Sequence, residues 1–96
     1  MPPAFANLYP LTIFIYQSII QWKFYASAEK GDAFKWLNEL AHRIWNIKFD
    51  LQRGEDNDSI TRLYDNMKFY GEQSALLKMH LVPTTLGAFK NFKAKQ

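Results

Sequence analysis

Leu37, Leu40, Ile44, Ile47 and Leu51 recur at alternating spacings of three and four, while Lys35, Asn38, Glu39, His42, Arg43, Asn46 and Asp50 fill the opposite arc. That alternation is the pattern of an amphipathic helix with a heptad-like seam. Asp32 is a good N-cap for its start, and the stretch Arg53-Gly54-Glu55-Asp56-Asn57-Asp58 breaks it. A second seam, Ile60, Leu63, Met67, Tyr70, Ser74, Leu77 and Leu81, predicts a helix from Asp58 or Ser59 to about Val82. Gly71 inside that run costs about 1 kcal/mol relative to Ala and marks a close helix approach or a bend.

The stretch from Leu11 to Lys30 is less clear-cut. Ile13 and Ile15 alternate like a strand, yet Ile13, Tyr16, Ile20 and Phe24 also share one helical face, with Ile15, Ile19, Trp22 and Ala26 beside it. About 20 residues without an internal Gly or Pro decide for helix, with Gly31 as its stop. Pro2, Pro3 and Pro10 predict an extended N-terminal arm over residues 1–10, because proline is tolerated where a helix begins but not inside one. Pro83 is expected to end the third helix, and Thr84 or Thr85 to cap a short last one carrying Leu86, Phe89 and Phe92. Short connections favour antiparallel neighbours. The expected fold is all-α, a single domain over residues 1–96: an antiparallel helical bundle of three long helices plus a short C-terminal helix.

Composition narrows the class. The 96 residues include no cysteine, 48% are apolar and 22% charged, the proportions of a globular chain with neither a disulfide framework nor a thiol nucleophile. Aromatics reach 17%, heavy for this length. The net charge of +3 is uneven: residues 1–72 carry eight Lys/Arg against nine Asp/Glu, whereas residues 73–96 carry Lys78, Lys90, Lys93 and Lys95 and no acid. Leu11–Tyr25 is the one membrane candidate, but Gln17, Ser18, Gln21 and Lys23 interrupt it and it falls short of the roughly 20 residues a span needs. It is expected to be buried against other helices in a cytoplasmic protein.

Catalytic and metal patterns are few. His42 and His80 lie on different predicted helices without metal-ligand spacing, and Glu55, Asp56 and Asp58 lack the bidentate Glu at position 12 of a calcium loop, where Asn66 stands. Those acids suit helix capping and the macrodipole. No phosphate-binding glycine loop or serine triad context is present, so no catalytic residue, cofactor or metal is assigned. The more informative signal is apolar surface outside the seams. Phe34, Trp45 and Phe49 lie about 80° to 140° from the seam of the second helix, and Phe69 and Leu76 lie roughly opposite the seam of the third. Two such stripes on adjacent helices are expected to frame a groove for an apolar helix, or to mediate self-association. The five residues are the candidate partner-binding set.

The order of features resembles the flagellin export chaperones of the FliS type. Those small bundles have a Pro-containing lead-in, a first helix with a Leu-Tyr-like pair and a charged-Gly-Asp turn, to which Ile15-Tyr16 and Glu29-Lys30-Gly31-Asp32 are similar. Arg53-Gly54-Glu55 and Leu63-Tyr64-Asp65-Asn66-Met67 occupy the places of their acidic turn and Leu-Tyr-Asp-Tyr-Met stretch, so the resemblance covers about residues 13–70. It implies a non-enzymatic cytoplasmic export chaperone whose client is an amphipathic segment of a secreted, flagellin-like protein. The competing expectation is a small phage or mobile-element inhibitor of a host protein complex. Nucleic-acid binding through the four C-terminal lysines ranks last, because the basic residues are few.

Overall fold

The computed structural model describes residues 3–28, 32–55 and 58–79, together with residues 83, 87, 90 and 91. All regular structure among the described residues is helical: α1 spans Pro3–Ala28, α2 Asp32–Gln52 and α3 Ser59–Gly71. A further helical segment covers residues 75–79, and residues 83, 87, 90 and 91 are also helical. Gly31, His80, Leu81, Val82, Thr84, Thr85, Leu86, Phe89 and Phe92, to which the sequence assigns a stop, caps and apolar contacts, lie outside the described residues.

The α2 seam lies where its period puts it: Leu37, Leu40, Ile44, Ile47 and Leu51 are all buried. They join Ile15 and Ile19 of α1, Leu63 and Met67 of α3, and Leu77 of the following segment in one core. Antiparallel packing of α1 on α2 is fixed by three side-chain pairs. Gln52 Nε2 donates to the Tyr9 hydroxyl at 3.2 Å, the Tyr16 and Trp45 rings pack tilted by 46° with centroids 5.0 Å apart, and Lys23 Nζ donates to Asn38 Oδ1 at 2.9 Å. Each step of seven residues forward on α1 is a step of seven back on α2, the register of an antiparallel coiled coil. Between α2 and α3, Arg62 Nη1 donates to Asp50 Oδ2 at 2.7 Å, and Trp36 meets Tyr70 at 6.1 Å between centroids.

Two expectations are corrected. Residues 3–10 are not an extended arm but the first turns of α1, with Pro10 inside the helix. Pro10 cannot donate to the carbonyl four residues back, and its ring crowds that turn; burial of Leu8 and Leu11 on either side of it offsets the cost. Second, α3 is not a long helix. It has 13 residues and ends at Gly71, where the Glu72 N–H turns back to the Phe69 carbonyl at 3.2 Å and the Gln73 N–H to the Tyr70 carbonyl at 3.1 Å. Ser74 then opens the next segment as an N-cap: its Oγ accepts from the Leu77 N–H at 3.1 Å, and its carbonyl accepts from the Lys78 N–H at 3.0 Å. A serine in seam register is thus a helix start. Pro83 is itself helical, and residues 80–82 before it lie outside the described residues.

The α2–α3 connection is set by backbone conformation. The Gly54 N–H bonds the Leu51 carbonyl and the Glu55 N–H bonds the Asp50 carbonyl, with Gly54 at φ 80°. This is a Schellman closure, which requires a residue that accepts the left-handed region. Asp58 precedes α3, also left-handed at φ 55°, and makes no side-chain cap bond; it begins the helix through its carbonyl, which accepts from Arg62 N–H at 2.9 Å.

Candidate functional site

Trp36 and Trp45 are nine residues apart on α2, which places them about 180° apart around its axis. Trp36 faces Tyr70 of α3 and Trp45 faces Tyr16 of α1, so the two neighbours of α2 occupy opposite flanks. This geometry sorts the five candidate residues. Phe34, Trp45 and Phe49 share the α1 flank, where Trp45 and Phe49 pack edge to face at 5.5 Å. Phe69 is exposed on α3 and packs edge to face on Tyr70 at 5.1 Å, which places it toward the Trp36 flank. Leu76 is half-buried against the core. The α2 stripe therefore borders α1 rather than sharing a single groove with Phe69 and Leu76.

A cleft of about 300 Å³ runs along the α1 flank, lined by Tyr16, Ile20, Lys23, Asn38, Ala41, His42 and Trp45. Its walls are fixed by the helical register. Tyr16 and Lys23 come from the heptad column that meets α2, and Ile20 from the adjoining column. On α2, Asn38 and Trp45 occupy one column, with Phe34 and Phe49 continuing it at either end. Phe34 and Phe49 remain exposed, so the strip continues beyond the cleft onto open surface.

Cations sit directly on these rings. Lys48 Nζ lies 3.7 Å from the Trp45 centroid and 5.8 Å from that of Phe49. Lys23 Nζ lies 5.5 Å from the centroid of Phe34 while bonded to Asn38. On the α3 flank the charges are paired instead: Asp50 takes Arg62 on one oxygen and Arg53 on the other. The hydrogen bond from Arg62 outweighs desolvation and, together with the positive charges of Arg62 and Arg53, holds the Asp50 carboxyl below its ordinary value.

The outward residues of α1 lie outside the five candidates. Phe14, Phe24 and Tyr25 are exposed at 48%, 74% and 67%, although the stretch that carries them is expected to be buried. The signal is present in the sequence: α1 is apolar on every side, and such a helix needs partners all round. Here it packs principally against α2 along one flank. Among the described residues, no helix is long and apolar enough to cross a membrane, and no three His, Asp or Glu side chains converge on a common point.

Comparison of the chain with protein-family models, with curated proteins and with solved structures gives no match.

Proposed function

We propose that the chain is a non-enzymatic, protein-binding helical domain that holds an amphipathic helical segment of a client protein in the cleft between α1 and α2. The observation that carries this reading is the strip Phe34–Trp45–Phe49, which runs beside Tyr16 and Ile20 on the flank of α2 turned away from α3. A groove of rings between two antiparallel helices accepts the apolar face of a third helix, with anchors at spacings of three, four and seven. The client orders as it docks, so the burial of its apolar face must exceed the cost of folding it.

The resemblance to flagellin export chaperones adds a client class. The bundle would act in the cytoplasm on a secreted, flagellar-type subunit, covering its apolar segment until export. The test is binding of a fluorescently labelled 18-residue amphipathic peptide, with Leu and Phe on one face and Gln on the other, followed by anisotropy. Trp45→Ala combined with Phe49→Ala is expected to weaken binding at least tenfold while circular dichroism stays helical. Phe69→Ala is expected to leave binding within about twofold, because that ring belongs to the other flank. Unchanged binding by the double variant would overturn the assignment.

A further inference from the structure

We infer that the helix received by the α1/α2 cleft is an acidic one, its carboxylates meeting Lys23 and Lys48 at the rim while its apolar face covers Trp45. This rests on the helix-binding reading above and adds the charge of the partner. It follows from how charge is distributed around α2. The three acids of that helix, Asp32, Glu39 and Asp50, all lie about 120° or more from Trp45 around the axis. His42 and Lys48 flank Trp45 at about 60° on either side. Across the cleft, α1 contributes no acid at all between Pro3 and Ala28, and Lys23 is its one charged residue. Among the described residues the flank is therefore aromatic and cationic, with no carboxylate of its own.

The environments of the two ammonium groups sharpen this. Lys23 Nζ has an amide oxygen and the face of Phe34 as neighbours; Lys48 Nζ has the faces of Trp45 and Phe49. Ring faces position a cation without cancelling its charge. Among the described residues the ion pairs join Asp50, Arg53, Glu55 and Arg62, away from this flank, and neither Lys23 nor Lys48 takes part. An apolar helix with Glu or Asp along its edges supplies what the rim lacks, whereas a basic helix meets like charge.

The experiment uses the intact chain and three labelled 18-residue peptides with the same Leu/Phe face, carrying Glu, Gln or Lys at the edge positions. At about 50 mM salt the Glu peptide is expected to bind about tenfold tighter than the Gln peptide, the sum of a few rim pairs. The Lys peptide is expected to bind more weakly than either. At about 0.5 M salt the three should converge to within about twofold, because exposed pairs are screened over less than 10 Å. Lys23→Glu with Lys48→Glu should invert the order. Equal binding of the Glu and Gln peptides at low salt overturns the acidic-partner inference and leaves the helix-binding reading standing. If none of the three binds, both fail. The peptide comparison needs only the native chain, so loss of folding in the double variant leaves the inference falsifiable.

Discussion

Tyr16 on α1 and Trp45 on α2 pack as a tilted ring pair at 5.0 Å, midway along a ladder whose outer rungs, Tyr9–Gln52 and Lys23–Asn38, lie seven residues to either side on both helices. One ring pair thus fixes the register of the α1–α2 hairpin and forms a wall of the cleft. Coupling between Tyr16 and Trp45 should be measurable. In a double-mutant cycle with Tyr16→Ala and Trp45→Ala, urea unfolding is expected to give an interaction free energy of about 0.5–1.5 kcal/mol. Trp36→Ala with Trp45→Ala should be additive to within about 0.5 kcal/mol, because the two rings face different helices from opposite sides of α2. Additivity in the first pair would mean that the ring contact contributes no specific energy.

The Asp50 carboxyl links α2 to α3 and should make stability depend on pH. Its folded pKa is lowered, first by the Arg62 hydrogen bond and then by the charges of Arg62 and Arg53. A lowered folded pKa means that the unfolded chain binds the proton more readily. The contribution of Asp50 is therefore fully present above its unfolded value, about pH 4, and is lost as pH falls through the lower folded value. Urea midpoints of the native chain should fall on acidification below about pH 4 more steeply than those of Asp50→Asn. Parallel profiles would show that the bridge is energetically silent in water.

The parts of the fold that could be read from the sequence are those governed by period. The α2 seam and the arc bearing Phe34, Trp45 and Phe49 follow directly from spacings of three and four. Periodicity gives an angle on a residue's own helix, however, and not the side on which the neighbouring helix lies. The period therefore groups Phe34, Trp45 and Phe49 on one arc of α2, and the contacts of Trp45 with Tyr16 and of Phe34 with Lys23 set that arc beside α1. Ser74 illustrates a second limit: its register fits a continuous seam, but a small hydroxyl just after Gly71 gains more by capping than by facing a core. Pro10 illustrates a third, a strong local rule overridden by the burial of Leu8 and Leu11 on the same face.

Pro10 offers a direct test of that override. It is exposed, so replacing it removes no core packing. Proline inside a helix costs about 3 kcal/mol relative to alanine, part of which is returned by the stiffer unfolded chain. Pro10→Ala is expected to stabilise the fold by about 1–2 kcal/mol, read as a higher urea midpoint at unchanged m-value. A loss of stability would mean that the ring sets a bend on which the burial of Leu8 depends.

Gly54 gives the opposite sign for a different reason. A Cβ built there meets nothing within 4 Å, so space does not forbid alanine. The backbone does: at φ 80° an L side chain crowds its own carbonyl, at a cost of about 1–2 kcal/mol. Gly54→Ala should destabilise by about 1 kcal/mol, and Gly54→Asn by less, since asparagine tolerates the left-handed region. The ranking Gly, Asn, Ala in thermal midpoint would identify conformational strain at the α2 closure. Equal losses for Asn and Ala would instead point to a steric clash in the connection to α3.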